Sequence, residues 1–150
     1  MFAPDSAPSI KTLVADVGGS NARFGWLDET QRRVRDIRVL PVQGHAGLAE
    51  AVLGYLADVQ GTRVAAVRLP KAAALAVATA VTSDRIEFTN SHWSFSRREL
   101  QRTLGIEHLE VLNDFEALAL ALPHLGEEQL RCIGSATRPR TAALGQVLAV

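Results

Sequence analysis

The sequence predicts an α/β domain with a mixed sheet and flanking helices. Two mainly apolar runs stop at residues of a different kind: residues 13–17 are followed by a Gly-Gly pair, and residues 109–112 are followed by Asn113. Between these runs, residues 48–59 carry apolar side chains at helical spacing and are followed by Gly61. Hydrophobic residues make up 47% of the 150 positions, which is enough for a buried core.

The hydrophobic pattern divides most of the chain into short strands. They are expected at residues 12–17, 22–27, 35–41, 74–78, 85–88 and 108–112. The glycines between the first two strands can take positive φ, which suits a hairpin. In the third strand we expect Ile37 and Val39 to face inward, with Leu40 as a further candidate. The fourth is rich in alanine, so a helix is an open alternative there.

Helices are expected at residues 48–59, 97–104, 114–122 and 127–133. Ser96 and Glu99 have the spacing of a capping box at the second of these, which Gly105 ends. The resulting organisation is a loose leader over residues 1–9, an N-terminal α/β domain over 10–123, and the incomplete start of a second domain over 124–150. Residues 147–150 are expected to begin another strand.

Composition excludes several classes of partner. The formal net charge is zero and the pI is about 6.9, so no basic field favours nucleic acid or an anionic membrane. No apolar run is long enough to span a membrane, and the N-terminus does not have the pattern of a signal peptide. The single cysteine, Cys132, fits a reducing compartment. We therefore expect a cytoplasmic protein.

The glycine turn after the first strand is a candidate phosphate site. Without a Cβ, Gly18 and Gly19 let main-chain N–H groups approach phosphate oxygens, and Ser20 adds a hydroxyl donor. Asp16 beside them could hold Mg²⁺ through a water molecule. A plain hairpin turn with a surface aspartate explains the same residues equally well. The spacing matches neither a Walker loop nor the dinucleotide fingerprint.

A polar and aromatic segment precedes the capped helix. Asn90 and His92 could hydrogen-bond a sugar, and Trp93 could form a wall of a pocket. For Trp93 and Phe95 the favoured alternative is packing against the start of the helix. The four histidines lack metal-ligand spacing.

Asn113 and Asp114 follow the last predicted strand, where open α/β sheets place their chemistry. An aspartate in hydrogen-bond reach of an alcohol can accept its proton during phosphoryl transfer. The alternative is that Asp114 caps the next helix, and from this pair alone that alternative is favoured.

In this order and spacing, the three motifs resemble the bacterial glucokinase family of the actin-like ATPase (ribonuclease H-like) superfamily. The matching segments are residues 13–24, 86–96 and 112–123. The resemblance implies two α/β domains closing over a cleft, with ATP and Mg²⁺ as cofactors and phosphorylation of glucose at its 6-hydroxyl. It also implies a homodimer.

The resemblance carries site roles onto matching positions. Asp114 becomes the catalytic base, and Asn113, Asn90 and Thr89 lie on the sugar side. On the nucleotide side it implies Asp16, Gly18, Gly19, Ser20, Asn21 and Arg23, with Asp16 near Mg²⁺ through water.

Two departures from the family pattern bear on the site. Ser20 stands where the family usually has threonine, which keeps the hydroxyl. Thr79-Ala80 stands where a Gly-Pro pair is usual beside the sugar. The resemblance also implies further phosphate-loop and sugar residues beyond position 150. An inactive truncated paralogue is therefore one alternative, and a non-catalytic sugar-binding regulator on the same fold is another. We expect little turnover from the 150 residues themselves.

Overall fold

The computed structural model of the chain describes residues 11–28, 30, 32–129 and 131. The expected leader and the expected strand at 147–150 lie outside these residues. So does part of the helix expected at 127–133, of which a 3₁₀ turn at Glu127–Gln129 is described. The chain divides after Asp114 into two compact units, and the sheet belongs to the first. The domain boundary expected near residue 123 stays a prediction.

Every strand expected within the described residues is present, with small differences at its ends. The strands are β1 (Lys11–Val17), β2 (Asn21–Asp28), β3 (Arg33–Pro41), β4 (Ala72–Val77), β5 (Arg85–Glu87), β6 (Ser94–Ser96) and β7 (His108–Asn113). The alanine-rich segment forms β4 and not a helix, because it lies between two other strands of the sheet. The short strand β6 was not expected.

The helices are α1 (Leu48–Gln60), α2 (Arg97–Thr103) and α3 (Asp114–Ala121). Short 3₁₀ turns cover Val42–Gly44, Val64–Ala66 and Leu122–His124. Gly61 ends α1 in the left-handed conformation, with φ of 60°, as its position in the sequence predicts.

The main sheet is mixed, as expected, with five strands in the order β3-β2-β1-β4-β7. β1, β2 and β3 pair antiparallel, whereas β4 runs parallel to both β1 and β7. A second, two-stranded sheet pairs β5 with β6. Because β1, β4 and β7 are parallel, their carboxyl ends lie along one edge of the sheet.

One face of the main sheet is covered. Leu13 and Val17 of β1, with Phe24 of β2, are almost completely buried there. Tyr55 of α1 stacks on Phe24 with ring centroids 5.5 Å apart, so α1 lies on this face. Residues from α2 and the small sheet join the same core: Ile86, Phe88, Trp93, Phe95, Leu100 and Leu104.

The opposite face of the sheet is open within the described residues. Ile37 and Val39 of β3 are 51% and 53% exposed, so the expectation that they face inward was wrong. Their spacing places both on one face of the strand, but no element among the described residues covers that face. Leu40, on the opposite face, is partly buried against the core. A cavity of about 210 Å³ lies on this face and is lined by Val14, Ala15, Asp16, Arg23, Phe24, Gly25, Val34 and Ile37.

The start of α2 confirms the capping role of Ser96. Its hydroxyl accepts a hydrogen bond from the Glu99 main-chain N–H at 3.1 Å and donates one to the Asp84 carboxylate at 2.5 Å. Asp84 also accepts from the main-chain N–H of Arg98. The hydrogen bond from Ser96 is the main reason that the pKa of Asp84 is lower than usual. These hydrogen bonds tie Asp84, directly before β5, to the N-terminus of α2.

Candidate functional site

The parallel strands bring the two distant motifs to the same edge of the sheet. Val17 of β1 pairs with Val77 of β4, which pairs with Asn113 of β7. Gly18 directly follows Val17 at one end of this row, and Asp114 directly follows Asn113 at the other end. Val17 and Asn113 are two strand spacings apart, which corresponds to about 10 Å. The carboxyl edge therefore holds the glycine hairpin at one position and the Asn113-Asp114 pair two strands away.

The hairpin between β1 and β2 is closed by a hydrogen bond from the Gly18 N–H to the Asn21 carbonyl, at 2.9 Å. Neither Gly18 nor Gly19 has positive φ, so the conformational argument for glycine does not hold here. Space is the reason at Gly19. A Cβ there would lie 3.0 Å from the Asn90 carbonyl oxygen and 3.2 Å from the Asn90 Cβ. The hairpin tip thus lies directly against the turn that carries Thr89 and Asn90.

Asp16 lies one residue before the end of β1 and points to the open face. It is opposite Arg23 in the β1–β2 register, and their side chains form an ion pair at 3.4 Å. Both side chains are about 60% exposed, so the pair is accessible to solvent and to ligands. An exposed pair of this kind contributes little to stability, typically below about 1 kcal/mol.

Asn113 has a fixed amide orientation. Its Nδ2 donates to the Thr79 main-chain carbonyl at 3.0 Å, across the loop that follows β4. A carbonyl can only accept, so this bond identifies the side of Asn113 that carries the amino group. Thr79 uses its hydroxyl separately, donating to the Glu87 carbonyl at 2.9 Å. The unusual Thr79-Ala80 pair is therefore compatible with an ordered loop that contacts Asn113.

Thr89 and Asn90 form an exposed turn between β5 and β6. Trp93 and Phe95, further along the same segment, are 2% and 9% exposed, so the packing interpretation is confirmed for both. The indole N–H of Trp93 donates to the His45 carbonyl at 3.1 Å. This contact could not be predicted from local sequence pattern, because it joins residues 48 positions apart.

Asp114 is half-buried and is the first residue of α3, directly after the end of β7. Among the described residues, no group of three or more His, Cys, Asp or Glu side chains could hold a metal ion. None of the helices in this part of the chain is long and apolar enough to cross a membrane. The described site therefore consists of loops at the carboxyl edge of the sheet, and its two carboxylates are Asp16 beside the hairpin and Asp114 at the start of α3.

Solved structures show which class of protein has this arrangement. The chain superposes on a glucokinase from an Antarctic psychrotroph with a TM-score of 0.72 and 31% identity, over 87% of this chain and 40% of that one. A ROK hexokinase from Thermus thermophilus gives a TM-score of 0.58 and 28% identity, over 79% of this chain and 40% of the hexokinase. The fold is that of the sugar kinases, and the predicted actin-like ATPase class is confirmed.

The family follows from the sequence comparison. The family model described as glucokinase matches residues 13–149, so the chain belongs to the glucokinase family. A glucokinase from Aromatoleum aromaticum is 43% identical over 81% of this chain. A bifunctional protein glk from Burkholderia lata is 42% identical over 89% of it. The chain spans 35% of the former and 20% of the latter.

Proposed function

We propose that the chain is the N-terminal part of a glucokinase, which phosphorylates the 6-hydroxyl of glucose with ATP, and that it supplies the catalytic base, sugar ligands and a phosphate-binding hairpin. The observation that carries this proposal is the row Val17–Val77–Asn113, with the hairpin and Asp114 following it at one sheet edge. Membership of the glucokinase family gives the reaction class. Location in the cytoplasm and assembly into a homodimer remain predictions.

On the nucleotide side, the proposal assigns the phosphates of ATP to the hairpin of Gly18, Gly19 and Ser20. The flanking Asn21 and Arg23 belong to the same side. The close approach of Gly19 to Asn90 supports a role for this tip, because a side chain at Gly19 would press against the sugar-side turn. Main-chain N–H groups in such a turn suit phosphate oxygens.

The residues present also fit a magnesium ion. Asp16 offers an exposed carboxylate beside the hairpin, and Mg²⁺ is usually bound by one or two carboxylates while it keeps several of its water ligands. Its ion pair with Arg23 is exposed and can rearrange when a ligand binds. Mg²⁺ would neutralise charge that develops on the phosphates during transfer.

On the sugar side, the proposal assigns glucose hydroxyls to Asn113, Asn90 and Thr89. The bond from Asn113 to the Thr79 carbonyl presets the amide orientation before the sugar binds. Asp114 accepts the proton of the 6-hydroxyl as the sugar oxygen bonds to the γ-phosphorus. The bond between that phosphorus and the ADP oxygen breaks in the same transfer.

The test compares Asp114→Asn with Glu116→Gln, which removes a carboxylate from the same helix. Glucose-dependent ADP release is measured for the 150-residue chain and for any longer natural form. In a form that turns over, loss of a general base lowers kcat by about 10²- to 10⁴-fold, so we expect that loss for Asp114→Asn. We expect Glu116→Gln to retain the wild-type rate.

Each outcome bears on a different part of the proposal. Turnover retained in Asp114→Asn would exclude the base role of Asp114. Glucose binding without ADP release in every form would support the non-catalytic sugar-binding regulator instead. Absence of glucose binding in every form would reject the function itself.

A further inference from the structure

The turn that carries Thr89 and Asn90 is anchored by contacts far away in the sequence. Within the segment, the Trp93 main-chain N–H donates to the Ser91 hydroxyl at 3.1 Å. Beyond the segment, the anchor is the main-chain carbonyl of His45, in the connection between β3 and α1. This carbonyl accepts from the Trp93 indole at 3.1 Å and contacts His92 Nε2 at 3.0 Å.

The Trp93 indole N–H and His92 Nε2 together occupy both acceptor positions of the His45 carbonyl oxygen. A carbonyl oxygen has two lone pairs and only accepts, so His92 must carry a proton on Nε2. His45 Nδ1 lies 3.1 Å from the Pro41 carbonyl and must donate there for the same reason. The His45 backbone is therefore held from both sides, by its own ring and by the Trp93 segment.

The same connection also holds the glycine hairpin. The Val42 N–H donates to the Ser20 carbonyl at 2.9 Å, three residues before His45. One short stretch, residues 42–45, thus bonds the hairpin at one end and the Trp93 segment at the other. The direct contact of Gly19 with Asn90 completes a closed loop of contacts.

We propose that Trp93 is a positioning residue: through the His45 carbonyl, its indole N–H sets the placement of the Asn90 turn against the hairpin. This inference rests on the proposed function where it concerns the sugar. The hairpin is also fixed by the β1–β2 pairing, whereas the turn has only short strands on either side. Loss of the anchor therefore moves the sugar-side turn and leaves the nucleotide side in place.

The test uses Trp93→Phe, which keeps an aromatic ring and removes the N–H donor. The matched control is Trp26→Phe, a second buried tryptophan on β2. Backbone amide signals are recorded by NMR for the 150-residue chain without ligand, and then during titration with glucose and with ATP. The chain has two tryptophans, so each variant also assigns one indole signal.

In Trp93→Phe we expect the amide signals of Asn90 and Gly19 to shift in the unliganded chain. One hydrogen bond of ordinary strength corresponds to about 5- to 10-fold in affinity, so glucose binding should weaken by that factor. ATP affinity should change by less than about twofold, which is under half a kcal/mol. Trp26→Phe should move neither the Asn90 signal nor the glucose affinity.

His92 provides a second variant that leaves the core intact, because its side chain is exposed. His92→Leu removes the other donor to His45, whereas His92→Gln retains an N–H donor. We expect a smaller Asn90 shift in His92→Leu and rescue in His92→Gln.

One result would exclude the positioning role of Trp93, and a second would exclude the proposed function without deciding that role. If Trp93→Phe leaves the Asn90 and Gly19 signals unchanged, Trp93 has no positioning role, whatever happens to glucose. If the wild-type chain binds no glucose, the proposed function fails for this chain. The unliganded spectra then decide the positioning role alone.

Discussion

The two faces of the five-stranded sheet are made by the same strands and differ in what lies on them. On one face Leu13 is completely buried beneath the helical layer, and on the other Ile37 is 51% exposed. Both side chains follow the same alternation along their strands. The difference shows that alternation assigns a residue to a face, while burial depends on whether another element covers that face.

The covered face should carry most of the stability of the sheet. Leu13→Ala leaves a cavity in the core and is expected to lower the free energy of unfolding by about 2–5 kcal/mol. Ile37→Ala removes the same number of carbons from the open face and should change it by less than about 0.5 kcal/mol. Urea denaturation of both variants measures the two values. Equal losses would mean that the open face is covered in solution.

The open face has one tightly packed position, Gly25 of β2. A Cβ there would lie 2.5 Å from the Val34 Cγ1 of the neighbouring strand. Because valine is stiff at χ1, Gly25→Ala is expected to destabilise the chain by about 1–3 kcal/mol. The double variant with Val34→Ala should recover most of that loss in the same denaturation assay.

Gly54 of α1 is a control at which substitution by alanine is expected to raise the free energy of unfolding instead of lowering it. A Cβ at Gly54 meets no atom within 4 Å. Alanine is preferred over glycine in a helix interior, so Gly54→Ala should stabilise the chain by about 0.5–1 kcal/mol. Destabilisation by Gly54→Ala would contradict the open space at that position, and failure of Val34→Ala to rescue Gly25→Ala would mean that Gly25 is sensitive for another reason.

The smallest effect is expected at Tyr55, on the covered face. Its hydroxyl is buried and has no hydrogen-bond partner among the described residues. Burial is the main reason that the pKa of Tyr55 is raised. Removing a hydroxyl without a partner is close to neutral, so Tyr55→Phe should change the unfolding free energy by less than about 0.5 kcal/mol. A loss above about 1.5 kcal/mol would reveal a bound water or another partner.

Local sequence pattern was sufficient to predict the helices and strands that have clear apolar spacing and a recognisable terminating residue. The helix over residues 48–59 and its end at Gly61 follow from spacing and a left-handed glycine, and α1 matches that prediction. The strand end at Val17 follows in the same way from an apolar run that stops at a glycine pair. The strand end expected at residue 112 is observed one residue later, at Asn113. Parallel pairing then accounts for their meeting at one edge.

Contacts between distant segments could not be predicted in this way. Ile37 is exposed because no element in the described part of the chain covers its face, and the three residues of β6 are too few to show a periodic pattern. Trp93 was expected to pack, but its bond to His45 depends on the tertiary fold. The site roles of Asp114 and Asn90 come from the family resemblance and remain to be tested.

The hydrogen bond from Asn113 to residue 79 leaves the amino acid at position 79 free to vary in evolution. The acceptor is a main-chain carbonyl, so any amino acid at position 79 that keeps the loop path can orient the same amide. The threonine hydroxyl serves a different neighbour, the Glu87 carbonyl. The residue at position 79 can therefore be replaced during evolution without disturbing the amide of Asn113. A replacement that lacks the hydroxyl would remove the hydrogen bond between this loop and the end of β5.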